Sequence, residues 1–192
     1  SNEREVSVAL GSWNNRRVSA DLDQAINTDV ATRLSLLYEN SENYRDGFNL
    51  ERYGINPTAT FKMGDSNLAT LSYEYFNDER VADRGVTSWQ GKPVKVDSST
   101  FFGDANNSLV TARVNIVNAL IEHEVNETAH LRNRTRVADY YKFYQNVFAG
   151  AINSAAVGAN PAGSLVAMSA YNNSAERTNL FNQTDLTFEL QT

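Results

Sequence analysis

Apolar and polar residues alternate with a period of two along most of the chain. A β-strand turns successive side chains to opposite faces, so this period predicts strands with one apolar and one polar face. Helical patterning is nearly absent, and the segment 115–124 fits a strand as well as a helix. The sequence therefore predicts an all-β chain. The apolar residues that recur at every second position are Val6, Val8 and Leu10; Val18, Ala20 and Leu22; Leu34, Leu36 and Tyr38; Ala69, Leu71, Tyr73 and Tyr75; and Leu186, Phe188 and Leu190.

Apart from the first, the predicted connections between these strands alternate in length. In an antiparallel up-and-down meander every second connection lies at the same end, so one end is expected to carry tight turns and the other long loops. That asymmetry is typical of outer-membrane barrels, and several predicted strands also exceed the ~10 residues that cross a bilayer at a tilt. Short connections are expected at 13–15, 27–29, 64–66, 126–127 and 180–182, and long loops at about 40–52, 77–108 and 148–163.

Composition and charge exclude several classes of function. The 192 residues carry a net charge of -6 without a basic cluster, which argues against binding to nucleic acid. The chain has no cysteine, so disulfides, thiolate metal sites and a cysteine nucleophile are all excluded. A mean hydropathy of -0.47 is that of an ordinary soluble protein, but membrane strands alternate and give the same modest average. Catalytic and phosphate-binding motifs are absent, and we expect no enzyme.

Short motifs follow one another along almost the whole chain, each weak alone but specific as an ordered set. They include GSWNNRR at 11–17, RDG at 45–47, RYGINP at 52–57, LSYEY at 71–75, DRGV at 83–86, FFGD at 101–104, EHEVN at 122–126, LRN at 131–133 and NQTDLT at 182–187. The set resembles the first barrel strands of TonB-dependent siderophore receptors, the outer-membrane transporters of ferric siderophores. The likeness is greatest to the catecholate or ferrichrome-like branch.

The resemblance implies a large membrane barrel of about 22 strands around a plugged lumen. Residues 1–192 would be the N-terminal part of that barrel domain, with about nine strands, and the plug domain and TonB box would be absent from the segment. We expect an open sheet rather than a closed native barrel. The implied location is the outer membrane of a Gram-negative bacterium.

The same resemblance implies uptake of ferric siderophores as the function. The partners would be the ferric siderophore, outer-membrane lipid and, through the plug and TonB box of the full-length protein, the TonB complex. No cofactor is expected, because the siderophore rather than the protein holds the iron. His123 points away from both neighbouring glutamates on a strand, which argues against a metal site. Asp104, Asn106 and Asn107 hint at a calcium loop but lack the spacing of an EF-hand.

A ferric siderophore needs capture rather than bond chemistry. Stacking on aromatic rings and charge-assisted contacts from arginine suit a bulky, aromatic and anionic ligand. Packing within a loop is the more ordinary role for any one of these residues, so the hypothesis is that some members of the group bind. The residues predicted to contact the ligand are Arg45, Arg84, Trp89, Phe102, Tyr141 and Tyr144.

The two predicted faces would have different surroundings in a barrel. Tyr38, Tyr73 and Tyr75 would lie at the boundary between membrane and water, and Arg33, Arg132, Arg134 and Arg136 would line the lumen. Two alternatives remain open at this point. One is a TonB-dependent importer of another ligand, and the other is a soluble all-β module that binds carbohydrate through Trp89 and the tyrosines. The sequence does not select a particular siderophore.

Overall fold

The computed structural model describes residues 2–152 and 163–189, and this part of the chain is almost entirely β-sheet. A single 3-10 turn at Ala105–Asn107 interrupts the strands. In the described ranges, no helix is both long and apolar enough to cross a membrane. The strands are β1 (Arg4–Leu10), β2 (Arg16–Ala25), β3 (Val30–Ser41), β4 (Leu50–Lys62), β5 (Asn67–Val81), β6 (Ser88–Trp89), β7 (Lys92–Pro93), β8 (Leu109–Asn126), β9 (Ala129–Ala149) and β10 (Met168–Phe188).

Eight strands form one antiparallel meander in the order β1-β2-β3-β4-β5-β8-β9-β10. The short strands β6 and β7 form a separate hairpin inside the β5–β8 connection. The predicted all-β, up-and-down architecture is confirmed, with eight strands in the sheet where about nine were expected. The strands β1 and β10 are the two edges of the sheet and do not pair with each other. The described strands therefore form an open sheet.

The connections differ in length between the two ends of the sheet. One end carries the short turns 26–29, 63–66 and 127–128. The other end carries the β1–β2 hairpin at 11–15, the β3–β4 loop at 42–49, the β5–β8 loop at 82–108 and the β9–β10 loop at 150–167. The predicted asymmetry is thus observed, although most of the long loop expected at 148–163 lies outside the described residues.

One predicted turn is wrong. The segment 180–182 lies in the middle of β10, where Leu180 pairs with Val137 and Asn182 with Thr135. Asparagine is common in turns because its side chain bonds nearby backbone. Here the Asn182 amide instead donates to the Thr135 hydroxyl on the neighbouring strand, at 2.7 Å. A cross-strand partner thus replaces the local one.

One surface of the sheet, which we call the apolar face, carries exposed hydrophobic side chains on every strand of the meander. The register brings Leu36 opposite Ile55 and Tyr38 opposite Tyr53, and Val117 lies opposite both Tyr73 and Val137. A contiguous apolar surface of this extent is unusual for a protein surrounded by water. Exposed members of the apolar face are Val6, Val8, Leu10, Val18, Leu36, Tyr38, Tyr53, Ile55, Leu71, Tyr73, Val117, Ile121, Val137, Leu180, Leu186 and Phe188.

The opposite surface, the polar face, carries rows of charged side chains. Glu39 accepts hydrogen bonds from Arg17 at 2.7 Å and from Arg52 at 2.8 Å, which joins three adjacent strands. Arg33 forms an ion pair with Asp21. Further along the sheet, Arg132 pairs with Glu122 at 3.5 Å. Arg134 and Arg136 share this face because they follow Arg132 at every second position of β9.

Candidate ligand-binding site

The β5–β8 loop folds back over the C-terminal end of β9. A backbone bridge and two hydrogen bonds from side chains to backbone carbonyls hold it there. Gly103 forms an antiparallel bridge with Phe148. A Cβ at this position would overlap the Val147 carbonyl oxygen, so the close approach requires glycine. The buried Asn146 amide donates to the Ala82 carbonyl at 2.8 Å, and the Thr87 hydroxyl donates to the Gly150 carbonyl. The loop is therefore held against the sheet at both of its halves.

This loop places an arginine at the end of a row of aromatic rings. The guanidinium carbon of Arg84 lies 4.1 Å from the centre of the Phe148 ring. Phe148 meets Tyr171 edge to face at 6.0 Å between ring centres, and Tyr171 lies 5.5 Å from Tyr144. Phe102 joins Arg84 and Phe148 in lining a cleft of about 240 Å³. We call Arg84, Phe102, Tyr144, Phe148 and Tyr171 the Arg84 cluster.

The three rings from the strands belong to the polar face. Tyr144 and Phe148 continue the every-second-residue series that begins at Arg132 and passes through Arg136. Tyr171 shares that face because it pairs with Asn146 on β9. The Arg84 cluster therefore lies on the charged side of the sheet, at the end that carries the long loops. Arg84 lines the cleft, and in ranges 2–152 and 163–189 it forms no ion pair with a carboxylate.

The predicted ligand residues separate into groups. Arg84, Phe102 and Tyr144 are brought together in the cluster. Trp89 lies on the β6–β7 hairpin opposite Lys92, with its indole Nε1 buried and without a hydrogen-bond partner among the described residues. Tyr141 lies on the apolar face, where the Arg113 guanidinium stacks 5.0 Å from its ring centre. It is thus on the other side of the sheet from Tyr144.

Arg45 links two loops rather than facing the cleft. Its side chain is only 6% exposed and its Nε donates to the Asp83 carboxylate at 3.1 Å. One terminal nitrogen also donates to the carbonyls of Ser98, at 2.6 Å, and Thr100, at 3.0 Å. These contacts use three of the five guanidinium N–H donors of Arg45, and the Asp83 carboxylate balances its charge. The geometry favours the packing interpretation for this residue.

The contacts of Asp104 within its own loop explain this residue without a bound ion. Its carboxylate accepts hydrogen bonds from the Asn107 side chain at 2.7 Å and from the Asn106 backbone at 3.0 Å, and so caps the 3-10 turn. The Asn107 amide is the main reason why the pKa of Asp104 lies below its ordinary value. Capping accounts for the Asp-Ala-Asn-Asn pattern. In the part of the chain that the structure describes, no group of three or more acidic, histidine or cysteine residues could hold a metal ion.

Two members of the cluster, Phe148 and Tyr171, were missed from the sequence. Phe148 stood at the start of an expected loop, whereas β9 continues to Ala149. Tyr171 follows the same expected loop and lies near the start of the long strand β10. Extending the period-two pattern of residues 131–137 through residue 148 would have placed Tyr144 and Phe148 on one face.

Comparisons with known proteins place the chain beside siderophore receptors, although no protein-family model matches it. The probable TonB-dependent siderophore receptor PiuA of Acinetobacter baumannii is 28% identical over 143 residues, which span 70% of this chain and 19% of PiuA. The catecholate siderophore receptor Fiu of Escherichia coli is 28% identical over 153 residues, spanning 69% of this chain and 19% of Fiu. The chain thus matches about a fifth of the length of these curated relatives.

Solved structures show the same fold over the whole chain. The chain superposes on PiuA with a TM-score of 0.86 at 24% identity, covering 100% of this chain and 28% of PiuA. The open form of Fiu gives 0.84 at 24% identity, covering 100% of this chain and 32% of Fiu. The outer-membrane ferripyoverdine receptor of Pseudomonas aeruginosa, bound to ferripyoverdine, gives 0.84 at 16% identity and covers 100% of this chain and 26% of that receptor.

These matches confirm the resemblance inferred from the motifs. The chain is a homologue of TonB-dependent siderophore receptors, and it has the fold of part of their β-barrel. The relatives are transport receptors rather than enzymes. A soluble carbohydrate-binding module is disfavoured by the same matches, and the extent of the exposed apolar face points the same way.

Proposed function

We propose that this chain forms part of the barrel wall and extracellular surface of a receptor that takes up ferric siderophores. The observation that carries the proposal is the Arg84 cluster. A guanidinium without a carboxylate partner among the described residues lies over Phe148, the first of three consecutive rings, on the polar face and beside the long loops. The match to receptors of this type supports the same conclusion.

The chemistry of the cluster suits a catecholate ligand. Catecholate rings are flat and carry negative charge when they hold ferric iron, so they gain from both stacking and a nearby cation. Arginine also donates charge-assisted hydrogen bonds to oxygen anions in a fixed geometry. In this proposal the iron stays with the siderophore, Arg84 meets the anionic oxygens, and Phe102, Phe148 and Tyr171 contact the rings. Tyr144, the remaining member of the cluster, would extend the same stacking surface.

The proposal also assigns an environment to each face of the sheet. The apolar face would contact outer-membrane lipid, with Tyr38, Tyr73 and Tyr75 near the membrane boundary. The polar face would line the lumen, where Arg33, Arg132, Arg134 and Arg136 meet the plug of the full-length protein. The long-loop end would face outward, as in other outer-membrane barrels. Coupling to the TonB complex would come through the plug and TonB box.

Ligand titration of the receptor that contains this chain, purified in detergent, tests the proposal. Ferric catecholate and ferric hydroxamate complexes would be titrated separately, with binding followed by fluorescence quenching. We expect Arg84→Ala to weaken catecholate binding by about tenfold, the effect of one lost charge-assisted contact of ~1.5 kcal/mol. Arg84→Lys should retain part of the affinity because the positive charge remains.

Arg113→Ala is the matched control for this experiment. Arg113 also stacks on a tyrosine, but it lies on the apolar face. Its loss should therefore leave ferric catecholate binding unchanged. Equal effects of the two alanine variants, or full binding by Arg84→Ala, would contradict the role given to the cluster. Binding of neither ferric complex by the unmodified receptor would favour an importer of another ligand.

A further inference from the structure

One buried arginine joins the two parts of the β5–β8 loop that line the cleft. These parts come before and after the β6–β7 hairpin, and they carry Arg84 and Phe102 respectively. Arg45 of the β3–β4 loop donates from Nε to the carboxylate of Asp83, the neighbour of Arg84, at 3.1 Å. Its Nη1 donates to the carbonyl of Thr100, two residues before Phe102, at 3.0 Å. Arg45 therefore fixes the backbone close to both residues of the cleft.

Asp83 also shapes the backbone that carries Arg84. The Oδ1 atom of Asp83 accepts a hydrogen bond from the Gly85 backbone N–H at 2.8 Å. Gly85 has a φ of 80°, a conformation that residues with a Cβ rarely adopt. A bond of this kind, from an aspartate to the backbone two residues later, closes a tight local turn. One oxygen of Asp83 thus closes the turn around Arg84, while the other holds that turn to Arg45.

The ion pair between Arg45 and Asp83 is shielded from water. The Arg45 side chain is 6% exposed and that of Asp83 is 19% exposed. Salt screens such a pair only weakly, and removal of one partner leaves the other charge uncompensated. A second contact lies beside it, where the Asp46 backbone N–H donates to the Ser99 carbonyl at 2.8 Å. The two loops are therefore firmly joined at this point.

Arg84 and Phe102 need such a link more than the other members of the Arg84 cluster do. Tyr144, Phe148 and Tyr171 belong to β9 and β10, whose pairing holds them in place. Arg84 and Phe102 lie on a long loop instead. A ligand that needs both residues binds only those molecules in which both are in position, so its apparent affinity falls with that fraction. A loop fixed beforehand also avoids the entropy loss of ordering on binding.

We propose that Arg45 and Asp83 form a clamp that sets the positions of Arg84 and Phe102 for ligand binding. Both residues of the clamp are positioning residues, and neither contacts the ligand. The inference rests on the proposed function, because it takes the Arg84 cluster as the site for a ferric catecholate. The role of Arg45 in binding is then indirect, in contrast to the direct contact expected from the sequence.

Asp83→Asn tests the clamp because two explanations of this residue predict opposite results. The variant keeps an oxygen for the Gly85 N–H but removes the charge that pairs with Arg45. If Asp83 acts on an anionic ligand only through its negative charge, the variant should bind more tightly. Loss of the clamp should weaken binding instead, and we expect about a threefold loss. The measurement is fluorescence quenching of the full receptor in detergent by ferric tris-catecholate, the iron complex of catechol itself.

Glu42→Gln is the matched control for this change. It also neutralises a carboxylate, and it lies in the same β3–β4 loop as Arg45. The Glu42 side chain is exposed and accepts a hydrogen bond from Asn14, outside the clamp. Binding of ferric tris-catecholate by this variant should be unchanged or slightly tighter. Equal weakening by Glu42→Gln and Asp83→Asn would overturn the clamp.

Arg45→Lys separates the clamp from a simple positive charge. Lysine keeps the charge but lacks the planar fork that reaches both Asp83 and Thr100. We expect about fivefold weaker binding of ferric tris-catecholate. In the Arg84→Ala background the same change should weaken binding by less than about twofold, because the clamp then has no Arg84 to position. If Arg45 contacted the ligand itself, the two losses would multiply to about fiftyfold and overturn the proposal.

Hydrogen exchange without ligand reports on the clamp independently of binding. The backbone amides of residues 84–86 and 98–102 should exchange faster in Arg45→Lys and at the original rate in Glu42→Gln. Unchanged exchange in Arg45→Lys would overturn the clamp. Weaker binding by Arg84→Ala, with full binding by both Asp83→Asn and Arg45→Lys, would overturn the clamp and leave the proposed function intact. Full binding by Arg84→Ala would overturn the proposed function and, with it, the role of the clamp in binding.

Discussion

The side-chain amides of Asn133 and Asn182 exchange hydrogen bonds across β9 and β10, with each Nδ2 lying 3.3 Å from the other Oδ1. The same amides also donate to the hydroxyls of Thr184 and Thr135, both at 2.7 Å. These four residues lie on the apolar face. The two that belong to β10, Asn182 and Thr184, lie between Leu180 and Leu186. A polar group that faces lipid is tolerated when its hydrogen bonds are satisfied internally.

The asparagine pair predicts strong energetic coupling. Asn133→Leu alone should lower the free energy of unfolding by about 1–2 kcal/mol, because the Asn182 carbonyl oxygen loses its donor and the Asn182 amide nitrogen keeps only the Thr135 hydroxyl as acceptor. The double variant Asn133→Leu/Asn182→Leu should recover most of that loss, since both amides are gone. Urea unfolding of the receptor in lipid vesicles would measure the cycle. Simple addition of the two single effects would contradict the coupling.

A second prediction concerns the link between the β3–β4 and β5–β8 loops. Arg45→Met should release the β5–β8 loop and leave the Asp83 carboxylate unpaired, at about 3 kcal/mol for a broken buried ion pair. Limited proteolysis should then cut within residues 95–100, while the unmodified receptor resists. Arg16→Met is the control because Arg16 is an exposed arginine at the start of β2. Similar cleavage of both variants would refute the link.

Gly103 gives a third prediction. Gly103→Ala should break the bridge to Phe148, because the added methyl group overlaps the Val147 carbonyl, and overpacking of this kind typically destabilises by about 1–3 kcal/mol. Hydrogen exchange of the Asp104 amide should accelerate, and ferric catecholate affinity should fall as Phe102 moves. Gly64→Asn at the opposite end of the sheet, where φ is 70° and the space is open, serves as control. Unchanged exchange in Gly103→Ala would exclude this constraint.

The Asp104 cap predicts a pH dependence confined to strong acid. The Asn107 amide lowers the pKa of Asp104 below its ordinary value of 3.8 in the folded state. Stabilisation by the ionised cap is therefore complete above pH 3.8 and disappears as the pH falls through the lower folded pKa. The NMR shift of the Asn106 amide, recorded in micelles, should stay constant from pH 7 to about 5. A transition centred above pH 4 would contradict the cap.

The sequence predicts the structure correctly where a local pattern of residues determines it. Leu34, Leu36 and Tyr38 lie on one face because strand geometry enforces a period of two, and that period identified the sheet and its apolar face. Asn182 shows where a local rule fails, since its turn propensity is overridden by a partner 49 residues away, Asn133. The register of β9 with β10 decides that outcome, and no short segment encodes it.

The candidate site was predictable only in part for the same reason. Arg45 and Arg84 are both loop arginines in the sequence, yet Arg45 meets Asp83 and Arg84 meets Phe148. Burial and ion pairing, which separate the two, arise from how the loops pack. Phe148 and Tyr171 come together because β9 and β10 pair over their whole length. This contact depends on where β9 ends and β10 begins. The sequence pattern predicts the start of a loop at residue 148, which lies inside β9.

The lengths of β9 and β10 would set how far above the membrane a ligand first contacts this part of the barrel. Each strand has 21 residues, which at about 3.3 Å per residue and a tilt near 40° corresponds to roughly 50 Å along the membrane normal. The hydrocarbon core takes up only about 30 Å of that rise. In the orientation proposed above, with the short turns at the inner surface, the remainder would stand above the membrane, and Tyr144, Phe148 and Tyr171 would lie near its outer end. Capture would then take place outside the lipid, before the ligand enters the lumen.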